Sequence, residues 1–176
     1  MTDININLLD EFDFRSIYQS EADEAVSIEQ ICFPPNEACS PVHMGDRILK
    51  VPELFMVAVY RKNGRIAGFL NGIATDADSF SDDFFINADL NDKNGKNVML
   101  LGLDVLPEYR HKGLGREIVH QYALREKKNN REKLILTCLD AKVEMYKRMG
   151  FIDKGMSVSE WGGEKWHEMS LGIEKI

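Results

Sequence analysis

The chain has 176 residues, of which 44% are hydrophobic and 29% are charged, and its formal net charge is −7. These values are typical of an ordinary globular protein, and we expect a single domain over residues 1–176. The negative charge argues against a nucleic-acid partner, because such binding begins with the neutralisation of phosphates.

The sequence carries no signal for export, membrane insertion or metal binding. The N-terminal segment M-T-D-I-N-I-N-L-L-D-E is acidic and lacks the features of a secretion signal. No apolar run approaches the roughly 20 residues of a membrane span. The cysteines Cys32, Cys39 and Cys138 leave an odd thiol and lack metal-binding spacing. We therefore expect a cytoplasmic protein with no membrane partner and no metal.

The first half of the chain is predicted to contain a strand, two helices and a hairpin. The first helix has an apolar stripe and ends before Pro34 and Pro35, which cannot continue it. The turn K-N-G-R joins the two strands of the hairpin. The predicted ranges are 14–18 for the strand, 21–32 and 42–50 for the helices, and 54–60 and 66–73 for the hairpin.

The second half alternates strands and helices after a polar loop at 75–97. The apolar run 98–106 is typical of a central buried strand. The order β-α-α-β-β-β-α-β-α-β-β indicates an α/β (α+β) sandwich, with one mixed sheet that carries helices on its faces. The remaining predicted elements are helices at 114–128 and 140–149, a strand at 133–139, and a terminal hairpin of 151–161 and 164–171.

A glycine-containing turn joins the central strand to the helix at 114–128. Gly113 and Gly115 let the backbone approach a ligand closely, and the first turn of a helix has unpaired N–H groups at the positive end of its dipole. Together these features favour an anion site that suits a pyrophosphate. Arg110, Lys112 and Arg116 add positive charge there. A G-x-G turn before a helix can also serve packing alone, and this one matches neither a Walker loop nor a dinucleotide fingerprint.

Two motifs resemble those of a known superfamily. R-H-K-G-L-G (110–115) resembles the R/Q-x-x-G-x-G/A signature of the GNAT superfamily of acetyl-CoA-dependent N-acetyltransferases, and 136–151 is similar to the motif that follows it there. The pattern C-x-D-A-x-V-x-x-Y-x-R-x-G-F and the loop I-C-F-P-P-N-E-A (31–38) are similar to those of the arylalkylamine (serotonin) N-acetyltransferases. The resemblance covers residues 14–172 and implies a mostly antiparallel sheet of six to seven strands, about four flanking helices, and a homodimer as one expected assembly.

The resemblance assigns roles to residues of the central strand, the turn and the last helix. Backbone groups of the strand would pair with the pantetheine arm of acetyl-CoA, the co-substrate, and amides of the turn would hold its pyrophosphate. Tyr146 would face the thioester sulfur and protonate the departing thiolate, which suits a phenol of pKa about 10. The predicted contacts are Leu103, Asp104, Val105, Arg110, His111, Lys112, Gly113, Leu114, Gly115, Arg116 and Tyr146.

The general base departs from the pattern of the serotonin enzymes. Met99 and Leu101 stand where those enzymes present two histidines, and the histidines of this chain lie elsewhere. Glu29 and Glu37 are the candidate bases, although each could equally be a solvated surface carboxylate. Cys138, in an apolar strand, is expected to be inert rather than an acyl carrier.

The loop at 75–97 suggests a mobile lid that draws cationic amines toward the thioester. Most charge-rich loops are only solvated, and the phenylalanines Phe80, Phe84 and Phe85 could cap a substrate or anchor the loop. The acidic residues of this loop are Asp76, Asp78, Asp82, Asp83, Asp89 and Asp92.

The expected function is transfer of an acetyl group to a primary amine, preferably a small one, by direct attack in a ternary complex. One alternative keeps this chemistry but takes a protein N-terminus, a lysine side chain or an aminoglycoside as acceptor. Another is a non-catalytic acyl-CoA-binding or regulatory module. Tyr146 argues against the second alternative, and the missing strand histidines favour it.

Overall fold

The computed structural model describes residues 6–176, and one seven-stranded sheet forms its centre. The N-terminal segment that was searched for a secretion signal starts at residue 1, so its first five residues lie outside the described range. None of the described helices is both long enough and apolar enough to cross a bilayer. The helices and strands are α1 Ile6–Glu11, β1 Phe12–Ser16, α2 Ala22–Cys32, α3 Pro41–Lys50, β2 Phe55–Tyr60, β3 Arg65–Thr75, α4 Asp83–Ile86, β4 Asn97–Val105, α5 Leu114–Lys128, β5 Lys133–Cys138, α6 Val143–Arg148, β6 Ile152–Met156 and β7 His167–Gly172.

The predicted fold class is confirmed, with all seven strands and the predicted order of the major helices. The two short helices α1 and α4 were not predicted. The helix predicted at 140–149 instead begins with a 3-10 turn at Asp140–Lys142 and continues as α6. The predicted ends of the other elements differ from the observed ends by only a few residues, as is usual for fraying termini.

Alternating side chains on β2 and β3 divide the core between the two faces of the sheet. Met56 and Ala58 pack on the face covered by α5, whereas Phe55 and Val57 pack on the face covered by α2 and α3. This period of two is what a strand buried on both faces requires. Because helices pack on both faces of the sheet, the end of β4 is held in place where the chain turns into α5.

The sheet order is β1-β2-β3-β4-β5-β7-β6, and β4 and β5 form its parallel pair. These two strands pair only where Asn97–Met99 lies opposite Lys133–Ile135. Beyond Met99 no residue of β4 pairs with β5, so the two strands separate into a wedge. The backbone on the open side of β4 is thus available to a ligand.

A bulge in β4 lies where the wedge begins. Asn71 pairs with Gly102 but Gly72 pairs with Leu100, so Leu101 is an extra residue without a partner on β3. The extra residue shifts the alternation, and Leu100 and Leu103 both contribute to the core on the α5 face. A bulge bends its strand and increases the twist, which accounts for the divergence of β4 from β5.

The segment at 75–97 is packed against the domain rather than free. Phe80 and Phe84 are buried in a cluster with Met99, which answers the question whether these rings anchor the loop. The carboxylate of Asp82 accepts from the Glu160 N–H at 3.0 Å. Further aspartates of the segment have partners as well, with Asp76 bonded to Lys96 N, Asp78 to Lys133, and Asp89 to Lys50. These contacts anchor the segment to the domain, and the mobile lid that draws cationic amines stays a prediction.

Candidate functional site

A cavity of about 760 Å³ opens at the wedge between β4 and β5. Its size falls in the range of small-molecule sites, about 300–1,000 Å³. The glycine turn lines one end, and the end of α2, the proline loop and the loop between β6 and β7 line the other. Of the predicted site residues, the lining includes Glu29, Glu37, Leu103, Val105, Arg110, His111, Gly113, Leu114, Gly115, Arg116 and Tyr146.

The glycine turn presents a row of unpaired backbone amides. None of the N–H groups of residues 111–116 donates to a protein acceptor within the described part of the chain. His111 and Gly113 both have positive φ, at 61° and 85°, which turns the backbone just ahead of α5. With the positive end of the α5 dipole behind them, these amides have the arrangement that an anion site needs, and the predicted contact with a pyrophosphate stays a prediction.

The basic side chains at the turn have separate positions. Arg116 lines the cavity, and Arg110 Nε donates to the Val105 carbonyl at 2.8 Å. Lys112 Nζ donates instead to the Glu108 carbonyl at 3.3 Å, and Lys112 is absent from the cavity lining. The Lys112 side chain thus bonds to the turn itself, while its backbone N–H is among the unpaired amides, and its contact with the cofactor stays a prediction.

The open side of β4 presents the backbone of Leu103 and Val105. The Leu106 N–H donates to the Ala67 carbonyl on the β3 side, so by strand alternation Leu103 and Val105 point toward the wedge. The Val105 carbonyl already accepts from Arg110 Nε and from Cys32 Sγ at 3.4 Å. The predicted positions of these two residues agree with the structure.

The structure corrects the prediction that Asp104 contacts the pantetheine arm. Its backbone faces β3, where it pairs with Phe69, and the residue does not line the cavity. Its side chain is fully buried on the opposite face of the sheet from α5. Asp104 therefore cannot pair with a pantetheine arm, and its carboxyl group needs another explanation.

Tyr146 lies in α6 and lines the cavity beside β5. Its ring packs edge-on against Phe151, with centroids 5.5 Å apart. Burial raises the pKa of the Tyr146 phenol, and the nearby charges of Cys138 and Asp104 raise it further. The hydroxyl stays protonated at neutral pH, which a general acid requires. Burial also raises the pKa of the Cys138 thiol to about 11, which disfavours a thiolate acyl carrier.

Both candidate bases line the far end of the cavity. Glu29 is only 4% exposed, so it is not a solvated surface carboxylate. Its Oε1 accepts from the Cys39 N–H at 3.0 Å, and its Oε2 has no partner among the described residues. Burial, followed by the charge of Glu164, raises the pKa of the Glu37 carboxyl group.

An aromatic wall at this end was missed by the sequence analysis. Trp161 stacks on Phe85 with centroids 4.6 Å apart, and its Nε1 donates to the Glu37 carbonyl at 2.8 Å. Trp166 Nε1 donates to the Trp161 carbonyl at 2.9 Å. The signal was that both tryptophans of the chain flank one polar Gly-Gly turn.

No described histidine serves the acceptor end. Met99 is buried in the core and Leu101 is nearly so. His167 lies between two aspartates, with Nε2 at 3.1 Å from Asp140 and Nδ1 at 3.2 Å from Asp153, outside the cavity lining. His111 lines the cavity at the anion end. Within residues 6–176, no group of three His, Cys, Asp or Glu side chains is placed to hold a metal ion.

Residues 53–153 match a protein-family model described as an acetyltransferase (GNAT) domain. This match contains β2 to β5, the glycine turn, α5 and α6, and therefore most of the cavity. A search of curated protein sequences found no match.

Solved structures with the same fold cover nearly the whole chain. The loading GNATL domain of CurA from Lyngbya majuscula has a TM-score of 0.81 and 14% identity, over 94% of this chain and 99% of that one. The GphF GNAT-like decarboxylase, in complex with isobutyryl-CoA, has a TM-score of 0.75 and 16% identity, over 92% and 100%. A phosphinothricin acetyltransferase from Sinorhizobium meliloti, in complex with acetyl-CoA, has a TM-score of 0.66 and 14% identity, over 92% and 88%. At these identities the likeness concerns the fold.

Proposed function

The chain belongs to the GNAT acetyltransferase family, and on that premise we propose that it transfers the acetyl group of acetyl-CoA to a small primary amine. The observation that carries this proposal is one cavity that joins unpaired amides at one end to the carboxylates of Glu29 and Glu37 at the other, with Tyr146 of α6 in its lining. The amine would attack the bound thioester directly. The free thiols Cys32, Cys39 and Cys138 suit the cytoplasm, where we propose the protein acts.

The residues present fit acetyl-CoA. The amides of 111–116, aided by Arg116, would hold the pyrophosphate, and the wedge-facing backbone of Leu103 and Val105 would bind the pantetheine arm. Arg110 now donates to the Val105 carbonyl, so we expect its guanidinium to move toward the phosphates when that carbonyl accepts a pantetheine amide. A backbone N–H beside the thioester would stabilise negative charge on the acetyl oxygen.

Tyr146 would protonate the departing sulfur. A thiol has a pKa near 8.5, so a phenol that remains protonated at neutral pH can donate or share its proton as the carbon–sulfur bond breaks. The position of Tyr146 in the cavity supports this role, and so does the direction of its pKa shift.

The acceptor end favours an amine with an apolar or aromatic body. Phe33, Phe85, Trp161 and Trp166 line this end, and aromatic faces attract both apolar groups and cations. An alkylammonium ion has a pKa of about 10.4, so it must lose a proton before it can attack. Glu29 and Glu37 are the carboxylates in reach of such a group.

Calorimetry and a panel of amines test the proposal. We expect acetyl-CoA to bind the purified protein, and CoA release to be fastest with 2-phenylethylamine or tryptamine. Putrescine, kanamycin, and peptides with a free N-terminus or lysine form the comparison set. The Gly113→Asp, Gly115→Asp double variant, which places two carboxylates at the turn, should lose binding.

Three outcomes would overturn the proposal or part of it. If neither CoA nor acetyl-CoA binds, the assignment of the cavity falls. Binding without turnover on any amine would favour a non-catalytic acyl-CoA-binding module. If the protein turned over only peptides or kanamycin, the proposed acceptor would change from a small amine to one of these larger substrates.

A further inference from the structure

A second carboxyl group lies beside Glu29 beneath the bulge of β4. A methyl group placed on Gly102 would lie 3.3 Å from Asp104 Oδ1 and 3.7 Å from Glu29 Oε2, and 3.4 Å from Asn71 Nδ2, which donates to the Gly102 carbonyl. The two oxygens therefore converge on the same point, and Gly102 itself lines the cavity. Because glycine has no side chain, nothing on Gly102 separates the carboxyl groups from an acceptor in the cavity.

The oxygens of this pair have no donor from the protein. Glu29 Oε2 and both oxygens of Asp104 are buried and lack hydrogen-bond partners among the described residues. Buried polar atoms almost always have partners, so three orphan oxygens side by side require an explanation. A proton on one carboxyl group supplies it, since the protonated acid then donates to the other.

The surrounding charges also require one proton on the pair. Arg47 is 3% exposed, its Nη1 donates to Asn71 Oδ1 at 3.2 Å, and its charge interacts with those of Glu29 and Asp104. A guanidinium stays charged in proteins, so one ionised acid balances it and two would leave a buried net charge. Burial, the charge of Glu29, and a hydrogen bond between the two acids raise the pKa of Asp104 well above its usual value. The other titratable groups that face the pair are Cys32, Cys39 and Tyr146.

We propose that Glu29 and Asp104 form a carboxyl pair that holds one proton at neutral pH, in which Glu29 is the base for the acceptor ammonium and Asp104 is the positioning residue that fixes Glu29. This inference rests on the proposed acetyl transfer. Asp104 is completely buried and carries the proton, whereas Glu29 lines the cavity and is the carboxyl group that an acceptor can reach. The Asp104 hydroxyl and the Cys39 N–H together hold the Glu29 carboxylate in one orientation.

The proton balance of the transfer is complete with these groups. An N–H bond of the ammonium breaks, an O–H bond forms at Glu29 Oε2, and the freed nitrogen lone pair attacks the acetyl carbon. The carbon–sulfur bond then breaks, Tyr146 donates its proton to the leaving sulfur, and the second proton lost by the nitrogen restores the Tyr146 hydroxyl. Glu29 returns its proton to solvent through the cavity, and the pair again holds one.

Infrared spectroscopy tests the shared proton without any acceptor. The wild-type protein at pH 7 should show the carbonyl stretch of a protonated carboxylic acid, and the spectrum of Asp104→Asn should lack it. Labelling aspartate with ¹³C assigns the band, because it shifts only if the acid belongs to an aspartate. Absence of a protonated carboxyl band in the folded wild-type protein would overturn the proposal.

Steady-state kinetics test the roles of Glu29 and Asp104. The substrates are acetyl-CoA and 2-phenylethylamine, or whichever amine of the panel reacts fastest. Glu29→Gln should lower kcat at least tenfold with the Kd of acetyl-CoA unchanged. Asp104→Asn keeps a donor to Glu29 and should stay within threefold of wild type near pH 7. Asp104→Leu has no donor, so the acidic limb of its kcat/KM profile should move to higher pH.

If Asp104→Asn and Asp104→Leu lost equal activity, and the acidic limb of kcat/KM did not move in either variant, Asp104 would be a packing residue. That result would refute its assigned role. Wild-type activity in Glu29→Gln would transfer the base to Glu37 and refute the pair. These failures differ from failure of acetyl transfer itself, in which the wild-type protein releases no CoA with any amine while the infrared band persists.

Discussion

The hydroxyl group of Tyr146 decides whether this residue is a proton donor or only packs in the core. Tyr146→Phe keeps the edge-on contact with Phe151 and removes only the proton donor. We expect kcat to fall at least tenfold, which is about 1.4 kcal/mol of barrier, and the Kd of acetyl-CoA to stay the same. Steady-state kinetics and calorimetry measure the two quantities.

Tyr109→Phe is a matched control for that variant. Tyr109 also lines the cavity, but its ring packs in a cluster with Phe12 and Tyr60. Its hydroxyl has no assigned role in proton transfer, so kcat should change little. A similar loss in both variants would deny Tyr146 a specific role.

The buried acid Asp104 makes the stability of the protein depend on pH. Its folded pKa lies well above the unfolded value of about 3.9, so its contribution to stability is complete below that value and is lost as pH rises through the folded pKa. Asp104→Asn has no such loss. Relative to wild type, the free energy of unfolding of the variant should therefore increase steadily from about pH 4 upward. Urea titrations at several pH values measure this difference, and parallel curves would contradict it.

The residues of the site were predictable to different degrees. Gly113 and Tyr146 stand in local motifs that resemble those of the superfamily, so the sequence could place both in the site, and both line the cavity. Glu29 could be named but not separated from a surface carboxylate, because its burial depends on the packing of α2 against β4. The partnership with Asp104 joins residues 75 positions apart, and no local pattern encodes it.

Among the elements, the loop between β6 and β7 has the clearest test. Trp161 joins this loop to Phe85 by stacking and to Glu37 by a hydrogen bond. Trp161→Ala removes both contacts, so KM for the amine should rise several-fold, with the Kd of acetyl-CoA unchanged. Initial rates over a range of amine concentrations measure the effect.

Val158→Ala is the control for this loop. Val158 is 81% exposed in the same loop and does not line the cavity, so its truncation should leave KM unchanged. If both variants raised KM alike, general loosening of the loop would account for the effect instead of the aromatic wall.

Some elements could be predicted from the sequence and others could not. The range of α5 was predicted at both ends, because an apolar stripe runs along it and Gly113 precedes it. The wedge was not derivable from hydrophobicity, since it depends on the pairing of β4 with β3 around Leu101. The lid at 75–97 was predicted from the length of the loop and its acidic charge, whereas the partners of these charges lie far along the chain, as Glu160 does for Asp82.

At the scale of the whole molecule, acetyl-CoA should stabilise the fold. A ligand that binds only the native state at one hundred times its Kd adds about 2.7 kcal/mol. For a domain of this size, each kcal/mol shifts Tm by about 2–4 °C. We therefore expect a rise in Tm of roughly 5–10 °C in a thermal melt. The Gly113→Asp, Gly115→Asp variant should show no rise, and an equal shift in it would place binding elsewhere.

The position of β7 in the sheet has a consequence for synthesis of the protein. β7 lies between β5 and β6 and pairs along Lys133–Cys138, whereas β4 pairs with only the first three residues of that strand. Since a ribosome delivers residues in order, the edge of β5 that faces β7 stays without its partner until His167–Gly172 has been made. Translation thus reaches Tyr146 well before β7 can pair with β5, so the part of the sheet beside the cavity is completed late in the synthesis of this domain.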